Sequence, residues 1–332
     1  MNDAIILTLA YPETIVSHAE EWYSPLLKYV SIGSKKHVRA GHAALVLINK
    51  NTGVLEYHDF GRYITSSPNG RVRGRETDFE LNFPLKAEIE NDKIKNIEAI
   101  LKFLATHPKL THGDGRLYAS VCNAIDYNKA RHHITMMQQR GFIRYAAFIS
   151  DACNCARFVT DSLIASVTDA DIKSKLIKSK RFTPSTIGNV VIADTENDVY
   201  VVTECGEITE FKSTVSKENR RLFLDTLVDY SPSLIGTLEP KHNDEKKDHA
   251  QWLGGIAAGA WFELYPIGSA TEIRFRRISP YGNIDCDGIY KIVNAKFNQE
   301  EHYQFVHYSN CSFFHIQQAS ETYRFEFLEH YG

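Results

Sequence analysis

A cysteine at the start of a predicted helix is the residue best placed to do chemistry in this sequence. The stretch Ser150–Thr160 opens with a polar turn, and the apolar residues after it, Phe158, Val159 and Leu163, recur at helical spacing. Cys155 stands where the helix begins, so backbone N–H groups and the helix dipole would stabilise its thiolate and lower its pKa. A buried structural cysteine gives the same local pattern, so a partner residue is needed to decide.

The histidine that could activate this thiol lies at the start of a predicted strand. Residues 39–49 are apolar on both faces, which is typical of a central strand in a sheet. A polar turn follows, and residues 54–63 return as an antiparallel strand. Such a hairpin places His42 near residues 59–62, with His58 also close by.

Cys155 and His42 together have the chemistry of acyl transfer. The imidazole takes the thiol proton, the thiolate attacks an amide or ester carbonyl, and the imidazolium protonates the leaving group. A third polar residue fixes the imidazole tautomer, and the hairpin offers Asp59 or His58 for this role. We therefore predict Cys155, His42, Asp59 and His58 as catalytic candidates, with no metal and no organic cofactor.

Polar residues around this pair are candidates for binding substrate. Residues 64–78 form a predicted polar loop that is rich in arginine. If this loop folds over the site, its guanidinium groups suit a substrate that carries an anion or a carboxylate. We predict substrate contacts from Arg62, Arg73, Arg75 and Asn154.

Two short motifs resemble those of a known superfamily. Gly41–Leu47 resembles the histidine strand of the circularly permuted NlpC-type, papain-like cysteine hydrolases, and Asn154–Val159 resembles their cysteine helix. In the lecithin:retinol acyltransferase branch this helix also opens with Asn-Cys, two variable positions and Phe-Val, and the histidine likewise precedes the cysteine. That branch has Glu-His where this chain has Ala156 and Arg157, and the chain as a whole resembles an uncharacterised bacterial branch. The resemblance implies a permuted papain-like domain over residues 1–190.

The rest of the sequence divides into two further segments. Residues 191–250 are expected to be an α/β extension that ends in a charged linker, and residues 251–332 alternate short β-rich runs with turns. We therefore predict an α+β fold class, with the permuted papain-like (NlpC-type) domain followed by a small all-β C-terminal domain. Along the whole chain we expect, among other elements, helices over 17–30, 92–106 and 216–228 and strands over 79–89, 189–194, 198–204 and 207–212, with a flexible lead-in over 254–260 before the β domain.

Composition limits the class of partner and the location. The 332 residues carry a net charge of −3 without a large basic block, which argues against nucleic acid. No apolar run has the length of a membrane span, and the N-terminus lacks the basic region of a signal peptide. The six cysteines have no framework spacing, which favours free thiols in a reducing cytoplasm. We expect a cytoplasmic protein that acts on a peptide, amide or ester, and the sequence leaves the oligomeric state open.

Other interpretations of the cysteine turn stay open at this point. Cys153 and Cys155 could be half of a zinc site, although the sequence has no second pair of this spacing. Cys153 could also be a resolving thiol in a redox pair with Cys155. The favoured function is hydrolysis or acyl transfer on a peptide or cell-wall fragment. The alternatives are a catalytically inactive papain-like binding protein and a lipid acyltransferase or phospholipase with an apolar groove beside Cys155.

Overall fold

The computed structural model divides the chain into two compact units. It describes residues 2–17, 37–63, 65, 68–76, 78, 81–223, 227, 244–255, 258–278, 282, 284–293, 297–306, 309, 311 and 313–332. One unit comprises residues 1–61 with 70–231, and the other comprises residues 62–69 with 232–332. The helix predicted over residues 17–30 lies, after Ser17, outside the described residues.

The N-terminal unit is built on an eight-stranded sheet with helices on both faces. The described strands of this unit are β1 (Ala4–Tyr11), β2 (Ile15–Ser17), β3 (His37–Arg39), β4 (His42–Asn49), β5 (Leu55–Gly61), β6 (Asn69–Arg73), β7 (Ile89–Glu90), β8 (Lys93–Ile94), β9 (Leu117–Ile125), β10 (Ile143–Arg144), β11 (Tyr200–Val202) and β12 (Ile208–Glu210). Eight of these twelve strands form the large sheet, whereas β2 pairs with β3 and β7 with β8 in two separate small sheets. The helices are α1 (Ile97–Thr106), α2 (Pro108–Thr111), α3 (Tyr127–Gln139), α4 (Cys155–Ser166), α5 (Ala170–Ser179), α6 (Thr186–Ala193) and α7 (Val215–Phe223). The sheet order is β10-β6-β5-β4-β1-β9-β11-β12.

The central strands explain the continuous apolar runs of the sequence. Strand β1 lies between β4 and β9 and is buried along its whole length. Alternate residues of β4 face two separate cores. Ala43 and Leu45 pack in the core that includes Phe158 of α4, whereas Ala44 belongs to the core that includes Leu104 of α1. Burial on both faces therefore fixes the register of β4 and, with it, the position of His42.

The C-terminal unit is an all-antiparallel sheet. Its strands are β13 (Gln251–Gly255), β14 (Ala258–Pro266), β15 (Glu272–Ile278), β16 (Ile284–Ile292), β17 (Gln304–Val306), β18 (Phe313–Gln318) and β19 (Glu321–His330), in the order β13-β14-β15-β16-β19-β18-β17. The sheet curls until its edges meet. The Gln251 side chain donates to the Tyr303 carbonyl at 3.0 Å and accepts from the Phe305 N–H at 3.0 Å. The predicted fold class, an α+β domain followed by a small all-β domain, is confirmed.

Several predicted elements were wrong in detail. Residues 189–194 fall largely in helix α6, which Ser185 caps by accepting from the Gly188 N–H at 3.1 Å. A short apolar run fits a buried strand and a buried helix equally well, so its spacing could not decide. Of the strand predicted over 79–89, residues 79 and 80 lie outside the described residues, and among the rest only Ile89 belongs to a named strand, β7. Part of the predicted loop 64–78 is strand β6.

The predicted lead-in over 254–260 was also wrong. Residues 254 and 255 belong to β13, and residues 258–260 belong to β14, with which β13 pairs. A Cβ on Gly259 would come within 2.2 Å of the Trp252 ring, so the glycine makes room for that ring between the two strands.

Strands β11 and β12 extend the N-terminal sheet beyond β9. The segment that follows residue 190 therefore adds to this sheet, and the boundaries at residues 190 and 250 stay a prediction. Among the described residues, no helix is long and apolar enough to cross a lipid bilayer.

Candidate active site

The fold brings Cys155 and His42 together at the ends of their elements. Cys155 is the first residue of α4, and His42 is the first residue of β4. The Cys155 thiol donates toward the Gly41 carbonyl over 3.9 Å, so the helix N-terminus meets the beginning of the strand. Both side chains are buried, and the thiol interacts with the imidazole.

Gly41 makes this meeting possible through its backbone conformation. Its φ is +75°, in the left-handed region that favours glycine. A Cβ at this position would lie 3.0 Å from the Pro12 Cα and 3.2 Å from the Thr186 Oγ1. A side chain here would disturb the turn that precedes His42.

A buried carboxylate orients the imidazole. His42 Nε2 donates to Asp59 Oδ2 at 3.1 Å, which leaves Nδ1 as the nitrogen available to the thiol. Arg73 donates to Asp59 twice, from Nε at 2.9 Å and from Nη2 at 2.6 Å, and the Tyr57 hydroxyl donates to Oδ2 at 3.2 Å. Asp59 is 0 % exposed, so these donors replace the water that its charge would otherwise require.

The electrostatics of the cluster favour an ion pair between His42 and Cys155. Burial opposes protonation of His42, but the hydrogen bond to Asp59 and the interaction with Cys155 outweigh it and raise the pKa to about 9. Burial also opposes ionisation of the Cys155 thiol, yet its interaction with His42 prevails and lowers the pKa. Arg73 and His42 likewise outweigh burial at Asp59 and hold its pKa well below the usual range. Both shifts favour the thiolate–imidazolium form of the pair over the neutral form.

The start of α4 is held by its own side chains. Asn154 is the N-cap, and its Oδ1 accepts from the Arg157 N–H at 2.9 Å while its Nδ2 donates to the Ala146 carbonyl at 3.2 Å. The Arg157 guanidinium donates to the carbonyls of Ala147, Ile149 and Ala152 at 2.6–2.7 Å. These bonds fix the turn that precedes the helix. The backbone N–H of Cys155, in the first helical turn, has no acceptor within the helix.

Tyr145 is a further residue at the thiol that the sequence did not single out. Its hydroxyl donates toward Cys155 Sγ over 3.9 Å, and its ring stacks on Phe60 with the centroids 5.8 Å apart. The N–H of Ala43 also interacts with the sulfur and contributes to its lowered pKa. The preceding strand β10 spans two residues, so a tyrosine next to it carried no periodic signal toward the cysteine.

The other predicted site residues lie in different surroundings. His58 lies on the face of β5 opposite Asp59, and its Nδ1 hydrogen-bonds the Arg73 carbonyl at 3.1 Å. Burial lowers the pKa of His58 to about 4. Arg73 is 1 % exposed and faces Asp59, whereas Arg75 pairs with its neighbour Glu76 at 3.4 Å and Arg62 is half-buried just after β5. Thus Asp59, and not His58, contacts His42.

Cys153 differs from Cys155 although the two are close in sequence. Its thiol donates to the Asn154 carbonyl at 3.5 Å, and burial raises its pKa to about 12. Within the described part of the chain, no group of three or more His, Cys, Asp and Glu residues is arranged to hold a metal ion. The pKa values of these two neighbouring thiols are therefore shifted in opposite directions.

Comparison with known proteins assigns the chain to a family. Residues 6–172, half of the chain, match the family described as type VI secretion system effector TseH-like, and residues 250–328 match the DUF6695 C-terminal domain. A crystal structure of the type VI secretion system effector TseH is similar at 19% identity, over 64% of this chain and 99% of that chain, with a TM-score of 0.40. No curated protein matches the chain. The chain belongs to the TseH-like family of type VI secretion system effectors.

Proposed function

We propose that this chain is a cysteine-dependent hydrolase that cleaves an amide bond. One observation carries the proposal: the Cys155 thiol at a helix N-terminus meets His42, and His42 Nε2 donates to the buried Asp59 at 3.1 Å. Nucleophile, base and orienting carboxylate are the three parts that acyl transfer requires.

The reaction begins from the ion pair. The Cys155 thiolate attacks the carbonyl carbon, and a tetrahedral intermediate forms with the negative charge on oxygen. The His42 imidazolium gives its Nδ1 proton to the departing amine, which leaves an acyl group on the sulfur as a thioester. Neutral His42 then takes a proton from water, and the hydroxide attacks the thioester. The acid product departs and the thiolate with its imidazolium is restored.

Two donors near the sulfur can stabilise the oxygen anion. The backbone N–H of Cys155 lies at the positive end of α4, and the Tyr145 hydroxyl lies 3.9 Å from Sγ. Donors that are fixed before reaction stabilise the developing charge without reorganisation. We assign these two groups to the oxyanion.

The arginine nearest the site has a positioning role in this proposal. Arg73 neutralises Asp59 with a two-point ion pair in a fully buried setting, so Asp59 stays ionised and keeps the His42 proton on Nε2. Arg62, Arg75 and Asn154 remain proposed substrate contacts. Of these, Asn154 also caps α4.

The family directs the choice of substrate and location. A type VI effector acts after export from the cell that makes it, which argues against the predicted cytoplasmic location. We propose that the chain cleaves an amide bond in a peptide of the bacterial cell wall. This substrate suits the proposed attack of the Cys155 thiolate on an amide carbonyl.

Digestion of purified cell-wall material tests the proposal. The wild-type chain is incubated with isolated peptidoglycan and soluble muropeptides, and new amines and products are measured by derivatisation and mass spectrometry. We expect cleavage by the wild type and its loss in Cys155→Ala. Cys153→Ala is the matched control, since this neighbouring buried thiol does not share the lowered pKa.

Three results would contradict the proposal. Equal cleavage by Cys155→Ala would exclude the thiol mechanism. Inactivity on cell-wall amides with hydrolysis of phospholipid vesicles would favour a lipase. Inactivity on both, with tight binding of peptidoglycan, would favour a binding protein.

A further inference from the structure

Two cysteines meet inside the C-terminal unit, far from the thiol of the proposed reaction in sequence. Cys286 lies in β16, and Cys311 lies just before β18. Both belong to the same buried core, and both are free thiols. They stand about 25 positions apart along the chain, and strand β19 pairs with both β16 and β18.

A tyrosine joins the two cysteines. The Tyr290 hydroxyl lies 2.8 Å from Cys286 Sγ and donates to the Cys311 carbonyl at 2.5 Å. Cys286 Sγ is itself 3.9 Å from that carbonyl oxygen, and the two thiols interact with each other. A disulfide requires Cα atoms within about 7 Å of each other, and the contacts of the Cys286 sulfur with both the thiol and the carbonyl of Cys311 make this pair a candidate for one.

A buried arginine completes the cluster. Arg277 faces Cys286 across the β15–β16 pair, and its Nη1 donates to Cys311 Sγ at 3.5 Å. The hydrogen bond of the Cys311 thiol with Cys286 has a larger effect than burial, which opposes ionisation of this thiol. Together with Arg277, this bond lowers the pKa of Cys311 to about 6. The same interaction raises the pKa of Cys286. The Cys311 thiol therefore ionises more readily and is the attacking thiol of the pair. The Cys286 thiol keeps its proton and is the resolving thiol.

We propose that Cys286 and Cys311 are a disulfide-forming site that closes when the chain meets a low-molecular-weight disulfide oxidant. The Cys311 thiolate attacks one sulfur of the oxidant, whose S–S bond breaks and releases one thiolate. Cys286 then loses its proton to solvent, and its thiolate attacks the Cys311 sulfur of the mixed disulfide and expels the second thiol. The protein loses two hydrogen atoms, and the oxidant is reduced to two thiols.

Apart from Cys155, which contacts His42, the remaining cysteines lack such an arrangement. Burial raises the pKa of Cys122 and of Cys153 to about 12, and Cys205 is exposed. Closure of the new bond would tie β16 to the segment before β18 across the core of the curled sheet. Such a link restricts the unfolded chain and stabilises the unit against unfolding. This inference is independent of the proposed hydrolase activity.

Redox titration of the full chain tests the site. The wild type is equilibrated in buffers of reduced and oxidised glutathione, unfolded in acid, alkylated and analysed by intact mass and peptide mapping. We expect a species lighter by two hydrogen atoms in which the peptides of Cys286 and Cys311 are linked. Its melting temperature under oxidising conditions should rise by on the order of 10 °C for the C-terminal unit.

Single variants identify the order of attack. In Cys286→Ser the mixed disulfide with glutathione should accumulate on Cys311, because the resolving thiol is gone. Cys205→Ser is the control and should form the Cys286–Cys311 link as the wild type does. The proposal is overturned if both cysteines remain alkylatable in buffers that already glutathionylate Cys205, or if the linked peptides join other cysteines.

Discussion

The buried carboxylate of Asp59 forms an ion pair with Arg73 and accepts a hydrogen bond from His42. Replacing Asp59 by asparagine tests how much each of these two interactions contributes. Asparagine keeps the size of the side chain and removes its charge. Arg73, which is 1 % exposed, then loses its two-point ion pair, and His42 loses the acceptor that holds a proton on Nε2. The asparagine amide can donate a hydrogen bond to Nε2 of His42, which favours the tautomer with the proton on Nδ1. In that tautomer Nδ1 cannot accept the proton of Cys155.

The structure sets the expected magnitudes. Removal of one partner from a buried ion pair costs about 3–5 kcal/mol of the free energy of unfolding. The pKa of His42, raised to about 9 with Asp59 present, should fall, since the hydrogen bond to Asp59 is the largest of the effects that raise it. The pKa of Cys155 should rise in turn. Each pKa unit changes the thiolate fraction about tenfold, so alkylation at pH 7 should slow by roughly 10–100-fold.

Two assays measure these effects. Urea unfolding gives the loss of stability, and the rate of iodoacetamide labelling at Cys155 across pH 5–10 gives the thiolate fraction. Asp78→Asn is the matched control: Asp78 is 2 % exposed and accepts from Arg71 at 2.6 Å through both oxygens. We expect this control to lose stability while its labelling profile stays that of the wild type.

The reasoning would be refuted by an unchanged labelling profile in Asp59→Asn. Asp59 would then stabilise the fold through Arg73 without orienting His42. An Asp59→Asn variant that also carries Arg73→Met should regain stability, because no charge is left buried, and should keep the slow labelling.

Four further outcomes follow from single contacts. Asn154→Ala should cost about 1 kcal/mol of stability by circular dichroism melts, because the N-cap of α4 is lost. Gly41→Ala, at φ +75°, should cost about 1–2 kcal/mol of the free energy of unfolding and should slow iodoacetamide labelling of Cys155. Gly141→Ala is the control, because Gly141 also has a positive φ but has open space where a Cβ would lie, and it should lose stability without a change in labelling. Tyr145→Phe should lower kcat on a cell-wall amide by roughly tenfold or more while KM changes little. The raised pKa of His42 gives stability that is present below pH 6.5 and is lost as the pH rises through about 9, whereas the lowered pKa of Cys155 gives stability that grows as the pH rises toward 9, so urea unfolding curves of the wild type should show the two contributions offsetting each other over this range.

The sequence alone determined the parts of this site that depend on local pattern. A polar turn followed by residues at helical spacing predicted the helix that begins at Cys155, and an apolar run with a turn after it predicted the strand that begins at His42. The predicted antiparallel pairing of this strand with the one after the turn placed both Asp59 and His58 near His42, and the pairing of β4 with β5 is observed. Each of these inferences uses neighbours along the chain or across one hairpin, where spacing fixes geometry.

The tertiary structure decided what the local pattern left open. The period of two along β5 puts Asp59 and His58 on opposite faces, but only the packed sheet shows which face His42 shares. The pairing of β5 with β6 turns Arg73 from an expected loop residue into the buried partner of Asp59. Tyr145 reaches the thiol through a packing contact that no spacing encodes. Contacts between elements distant in sequence depend on how the whole core packs, and a single sequence carries no periodic signal of them.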